Sequence, residues 1–441
     1  MKKVLILGAG LVVKPLVKYL LNQNFKVKVA SRTLKKAESL VENHPNGQAC
    51  VLLADDLKGM EELILENDLT ISMLPPKYHV RVAELCIKHK KSMITTSYVS
   101  EQMRLLDKEA RKSGIIILNE IGLDPGIDHM SAMKIINKVK QNDGKVISFL
   151  SSCGALPAPE AINNPFRYKF SWSPMGVLLA VKNNALYLEN GKEVNVPAEK
   201  LFENFKVVNI KGLGDFEVYP NRNSLLYINQ YNIPETKTMI RGTFRNLGHC
   251  HTWSNFYKLG LLDNEKTYNL DGKSPKQFIA DLINSKDLEN IESHLKDYLR
   301  LDEKSDFIYK LKWIGMLEDI PLPMERATPI EVLAHFLFQK LSYKDGERDM
   351  IVLQHEFIVE YPNKKEKIIS DLIEYGIPNG DTAIARTVAL PAAIATKLIL
   401  TEKINLTGVY IPTIPEIYNP VLEELEQLGI KFNETIETIS N

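Results

Sequence analysis

The stretch Val4–Leu16, VLILGAGLVVKPL, decides how the first third of the chain is read. Four apolar residues run into Gly8, Gly10 follows, and an amphipathic segment opens around Lys14 and Pro15. An apolar strand, a glycine turn and a helix, in that order, are what dinucleotide binding requires. Gly8 permits the tight turn, and Gly10 lets the backbone approach a pyrophosphate at the helix N-terminus. Val13 stands where the usual third glycine would be, so the turn alone is a weak signal. Leu11, Val12 and Val13 complete the loop assigned to the cofactor.

Outward from this stretch the pattern repeats. Lys3–Leu7, Lys26–Ala30, Ala49–Leu53, Leu69–Leu74, Ser92–Thr96 and Gly114–Leu118 are short runs rich in Val, Ile and Leu. Amphipathic segments such as Pro15–Leu21 and His79–His89 lie between them. Continuous apolar strands alternating with helices predict a parallel sheet buried on both faces. Six such strands predict an α/β, doubly wound Rossmann domain. From about Lys145 the pattern changes. Strand-like Val146–Cys153, Gly176–Val181, Ala185–Leu188 and Lys206–Ile210 predict an α+β domain. Residues 274–339 read as mostly helical, with Ser274-Pro275 as an N-cap and first-turn proline. Strand character returns at Met350–Tyr361 and Lys367–Ile373. A long helix follows, in which Pro391 is expected to cause a kink or break.

A chain of 441 residues exceeds one core and predicts two or three domains. Its composition is that of a soluble globular protein, 44% hydrophobic and 25% charged. Its formal net charge of zero argues against a nucleic acid partner. Cys50, Cys86, Cys153 and Cys250 are far apart, with no CxxC pair. This spacing suggests neither a disulfide framework nor a zinc site, and makes a reducing cytoplasm the default. Lys14 and Lys18 interrupt the N-terminal apolar run, which is also too short for a bilayer span, and no other run is read as spanning. No membrane association is expected.

Ligands of open α/β sheets bind at the carboxyl ends of the strands. The second strand ends in Ser31, Arg32 and Thr33, a guanidinium and two hydroxyls where NAD enzymes carry an acid. Such a set suits the 2′-phosphate of NADP. If Arg32 only stacks on adenine, NAD is also admitted. Asp55, after the third strand, is positioned to bond the adenine edge or to cap the next helix. Leu74 lies in the MLPP segment after the fourth, and Ser97 and Tyr98 follow the fifth, near the nicotinamide half. Asn119–Met130, NEIGLDPGIDHM, leaves the sixth strand at the same edge. Gly122, Pro125 and Gly126 should form a compact turn. Asp124 either lies beside the nicotinamide end or only stabilises that turn. Asp128 and His129 are expected to cap a helix beginning near Met130. His249–His251, HCH, reads as two histidines on one strand face. With no third ligand evident, they are assigned a structural or substrate-adjacent part and no metal.

The motifs LGAGLVVKP, TTSYVS, NEIGLDPGIDHMSAMKII, YKFSWSPMGVLLA, VYPNRNSL, MIRGTFRNLGHC and AIARTVALPAAIA occur in order from end to end. Together they resemble saccharopine dehydrogenases of the glutamate-forming type. The resemblance implies three parts. Residues 1–125 form an NADP-binding domain completed by about 390–441. Residues 126–270 and 345–390 form a mixed substrate and dimerisation domain, and 271–344 a small helical insertion. It also implies an oxidoreductase acting on a CH–NH bond in lysine metabolism, working as a homodimer. Glutamate and 2-aminoadipate 6-semialdehyde would join as an imine that NADPH reduces to saccharopine.

Carried over by the same resemblance, Arg222, Thr243, Phe244 and Arg245 bind substrate, as do Ser97 and Tyr98. Arginines suit carboxylates through bidentate pairing. Leu123, Asp124 and Pro125 lie on the cofactor side, and Trp172 and Ser173 reach toward the cofactor. Asp124, Tyr98 and Cys153 are the catalytic candidates, although Cys153 also reads as a buried hydrophobe. Related carboxynorspermidine or homospermidine-type reductases would need fewer carboxylate partners. A non-catalytic nucleotide sensor would need none of these polar residues.

Overall fold

The computed structural model describes residues 1–439. Compactness divides the chain into two units. The first comprises Met1–Val146, Gln230–Glu235 and the chain from Leu353 on. The second comprises Ile147–Asn229 and Thr236–Val352.

The first unit is built on six early strands: β1 (Lys3–Leu7), β2 (Lys26–Ser31), β3 (Gly47–Val51), β4 (Leu69–Ser72), β5 (Ser92–Ile94) and β6 (Ile116–Leu118). A seventh, Gly408–Tyr410, comes from the far end of the chain and pairs parallel to β6. The order is Gly408–Tyr410, β6, β5, β4, β1, β2, β3, with every pairing parallel. Val4–Leu7 are fully buried, as a strand covered on both faces must be. The order reverses beside β1, and loops at such a switch point meet at the carboxyl edge.

Helix Ala383–Leu400 packs on helix Lys14–Asn22 and on helix Pro415–Gln427, which in turn packs on helix Ile127–Gln141. The kink or break expected at Pro391 does not divide it; one helix runs through that position. Burial on most sides offsets the lost backbone bond, worth about 3 kcal/mol. At 18 residues this helix is also long and apolar enough to cross a membrane, which the reading of apolar runs passed over. Its apolar surface is used inside the protein instead, with 78% of the segment buried.

The second unit holds most of β7 (Lys145–Pro157), the hairpin β8 (Ala185–Glu189) and β9 (Lys192–Val196), then β10 (Lys206–Ile210), β11 (Gly214–Pro220) and β12 (Thr238–Asn246). Strand β12 runs parallel to β7 and antiparallel to β11, which pairs antiparallel with β10. Helices Pro275–Leu282, Ile291–Leu299, Phe307–Ile314 and Pro329–Lys340 bear out the helical reading of 274–339. Ser274 and Gln277 close a reciprocal capping box at the first of them. These helices share one core with Phe166, Tyr168, Trp253 and Phe256.

Two local expectations are corrected. Gly176–Val181 is not a strand; Pro174–Ala180 is helical, with the Ser173 side chain accepting from the Gly176 amide. An N-cap serine followed by proline outweighs the apolar run. His249 and His251 lie on the helix His249–Lys258 rather than on a strand. Residues two apart on a helix point to different sides. His249 stacks on Tyr219 and His251 reaches Ser305.

Candidate active site

At the carboxyl edge of the parallel sheet, β1 ends at Gly8, whose φ is +109°. A Cβ there would lie 2.8 Å from the Met73 carbonyl oxygen, so glycine is required. At Gly10 a Cβ would meet nothing within 4 Å, so protein packing does not account for that glycine. The helix Lys14–Asn22 begins with no side-chain cap at Val13, and Val13 itself is fully buried. Leu11 is 69% exposed on the loop. Arg32 is exposed at the end of β2 and has no hydrogen bond or ion pair among the described residues. Ser31 accepts from the Thr33 amide at 3.3 Å. These features fit an NADP pyrophosphate at Gly8–Val13 and its 2′-phosphate at Ser31–Thr33. Asp55 leaves the capping to Asp56, which accepts from Gly59, and instead accepts from the Tyr78 hydroxyl at 3.3 Å. Leu74 is half-buried in the loop after β4. A groove of about 400 Å³ near Lys3, Lys26 and Lys28 lies at the amino ends of the strands, the wrong edge for such a ligand.

The loops after β5 and β6 carry a bonded set of polar side chains. The Tyr98 hydroxyl donates to Asp124 Oδ1 at 3.0 Å. Ser97 Oγ lies 2.8 Å from His79 Nε2, and His79 Nδ1 lies 2.9 Å from Ser72 Oγ. Burial pushes the His79 pKa down to about 4, so the ring is neutral at ordinary pH. Sequence reading passed over His79 because it opens an unremarkable amphipathic helix. Asp124 stands in a turn closed by the Gly122 amide bonding to the Pro125 carbonyl. Gly126 has φ +148°, and a Cβ there would fall about 2.1 Å from the Gly122 carbonyl oxygen. The next helix starts at Ile127, earlier than expected, with Gly126 as its N-cap residue. Asp128 therefore lies inside its first turn and reaches back to accept from the Gly126 amide at 2.6 Å. His129 caps nothing; it bonds Glu120 and Tyr231.

In the second unit, β12 sets Thr243 and Arg245 on one face and Phe244 on the other, by the alternation of a strand. Phe244 is 1% exposed and packs edge-on against Phe216. Its carbonyl accepts from Arg245 Nη1 at 2.8 Å. Thr243 pairs in register with Tyr219 on one side and Cys153 on the other. Arg245 is 8% exposed, its guanidinium 5.3 Å from the Tyr168 ring, and its Nε has no hydrogen-bond partner. Burial raises the pKa of Tyr168 and Tyr219, so neither phenol supplies a counter-charge.

Glu217 is directly opposite Arg245 in register, yet its carboxylate accepts from the Gly248 and Cys250 amides, both at 2.7 Å. Arg245 is therefore a buried cation with no carboxylate partner among the described residues. Arg222 is exposed in the turn after β11. Trp172 packs on the unit's aromatic core, and Ser173 caps Pro174–Ala180. Cys153 is buried.

Comparison with known proteins matches the chain in two consecutive segments. Residues 4–118 match the saccharopine dehydrogenase NADP binding domain, and residues 122–430 the saccharopine dehydrogenase C-terminal domain. The chain is 40% identical over 447 residues to the saccharopine dehydrogenase (NADP(+), L-glutamate-forming) of Schizosaccharomyces pombe, covering 99% of each. It is 36% identical to the mitochondrial alpha-aminoadipic semialdehyde synthase of Bos taurus, covering 98% of this chain and 47% of that protein. The apo saccharopine dehydrogenase (L-Glu forming) structure from Saccharomyces cerevisiae superposes with a TM-score of 0.90 at 36% identity, covering 100% of each chain. With both domains matched in order and a relative similar along its whole length, the chain belongs to the saccharopine dehydrogenase family.

Proposed function

We propose that this chain is an NADP-dependent, L-glutamate-forming saccharopine dehydrogenase of lysine metabolism. It interconverts saccharopine with L-glutamate and 2-aminoadipate 6-semialdehyde. Of the chain's own geometry, Arg245 carries the reading: a buried guanidinium without a carboxylate suits a substrate that brings three. A buried cation is costly until an anion pairs with it, so the pairing contributes directly to substrate binding.

The cofactor, when bound along Gly8–Val13 and Ser31–Thr33, supplies hydride for the carbon of the glutamate–semialdehyde imine. The protein's own part is binding, orientation and the handling of a proton. Arg245 pairs with one substrate carboxylate, and Arg222 meets another at the protein surface. Ser97 presents a hydroxyl oriented by His79. Tyr98 holds a proton on its phenol oxygen, shared with Asp124 Oδ1, beside the nicotinamide end. Leu74, Leu123 and Pro125 are assigned to the cofactor in the first unit, and Cys153 and Thr243 to the substrate in the second. The same reading has the enzyme act as a cytoplasmic homodimer. Its support is the family resemblance and four cysteines far apart in sequence with no CxxC pair.

The test is a cofactor assay in both directions. NADPH oxidation should require glutamate and the semialdehyde together, and saccharopine should reduce NADP in reverse. Turnover with a diamine in place of glutamate, and none with saccharopine, would overturn the substrate assignment in favour of a carboxyamine-forming relative.

A further inference from the structure

The buried acid Glu120 has no part in the chemistry above, yet it bonds the residues on either side of Tyr98. It lies two residues beyond the end of β6 and is 2% exposed. Its backbone amide donates to the Ser97 carbonyl at 3.1 Å, and its Oε1 accepts from the Val99 amide at 2.9 Å. One residue thus holds the chain on both sides of Tyr98. Its other oxygen, Oε2, lies 2.7 Å from His129 Nε2, and His129 Nδ1 lies 2.6 Å from the Tyr231 hydroxyl. His129 is fully buried and Tyr231 1% exposed.

The backbone adds an independent observation. Glu120 has φ +57°, a left-handed conformation that side-chain-bearing residues seldom adopt. Such strain persists only where surrounding bonds over-determine it, and it collects at functional positions. Here the strained residue turns the chain out of the sheet toward Asp124 while reaching back to bracket Tyr98. A buried carboxylate of this kind is costly unless fully bonded, and the Val99 amide and His129 supply the bonds.

We propose that Glu120, anchored by His129 and Tyr231, is a positioning residue. It holds the Tyr98 loop at the distance from which Tyr98 donates to Asp124. The inference rests on the assignment of Tyr98 to the active site made above.

A double-mutant cycle on the full-length enzyme with NADPH tests it, because residues that act through one another are not additive. Tyr98→Phe alone is expected to lower turnover by about tenfold or more, in the range of lost proton-handling groups. Glu120→Ala should lower turnover by a similar factor of roughly ten in the wild-type background. In the Tyr98→Phe background the same change should cost less than about twofold. Glu120→Gln keeps an oxygen for the Val99 amide and should recover most of the loss. NADPH affinity, read by fluorescence, should stay close to wild type in every variant.

Equal losses from Glu120→Ala in both backgrounds would overturn the clamp and leave the Tyr98 assignment standing. A Tyr98→Phe enzyme as fast as wild type would remove that assignment, and the clamp with it. If Glu120→Ala does not fold, His129→Gln takes its place in the cycle under the same criterion.

Discussion

The candidate site residues of the two units handle their polar groups in opposite ways. In the first, the polar side chains behind the ligand edge are bonded to one another: Ser72 to His79 to Ser97, Tyr98 to Asp124, Glu120 to His129 to Tyr231. In the second, the opposing acid Glu217 is taken up by the amino end of helix His249–Lys258, and Arg245 has no carboxylate partner among the described residues. A satisfied network rigidifies and positions, whereas an unsatisfied buried charge stores a binding interaction until a ligand brings the counter-ion. Under the proposed function, orientation falls to the first set of residues and anion capture to Arg245.

The largest expected effect is at the unsatisfied charge. Arg245→Met should cost about 2–5 kcal/mol of saccharopine binding, seen as a KM raised on the order of a hundredfold or more. The melting temperature should hold or rise, because the variant removes an uncompensated buried cation. A large drop in melting temperature with unchanged KM would show that Arg245 is an internal structural group, and the contrast between the units would fail. Exposed Arg222 sharpens the point: Arg222→Ala should raise KM less, since solvent-exposed pairs contribute about 0–1 kcal/mol.

Within the satisfied network, Asp124→Asn should lower turnover by roughly ten- to a thousandfold with little change in melting temperature. A destabilised enzyme that remains fully active per folded molecule would make Asp124 a turn residue only.

The network also has a pH signature. His79 titrates at about 4 when folded and near 6.5 when unfolded, because burial disfavours its charged form. Between those values the unfolded chain binds the extra proton. Stability is therefore complete above pH 6.5 and is lost as pH falls toward 4, by about 3 kcal/mol over the window. Denaturant melts of wild type and His79→Gln across pH 4–7 measure this. Burial lowers His249 as well, so the difference between the two proteins isolates His79. Identical slopes would mean that the His79 ring is not held neutral.

The last effect concerns cofactor choice. Arg32→Asp should weaken NADPH by roughly 1.5–3 kcal/mol, the worth of a hydrogen bond to a charged group, and NADH much less. Equal weakening of both would show that Arg32 does not read the phosphate.

What the sequence alone determined was whatever rests on neighbouring residues. The β1 strand, its glycine turn and the following helix were legible because turn chemistry and apolar periodicity act within a few residues. So was the Ser274-Pro275 helix start. The long shared motifs identified the family for the same reason. Tertiary structure decided what depends on distant partners. Pro391 lies inside an unbroken helix because packing offsets its missing bond. Nothing near Arg245 in sequence announces that it is buried without a carboxylate, because its register partner Glu217 is 28 residues away and occupied elsewhere. Glu120 drew no separate reading in the sequence, because its anchor Tyr231 is 102 residues beyond His129. The physical reason is common to all three: conformational preference is local, whereas satisfying a buried polar group depends on which atoms the fold brings within hydrogen-bond distance.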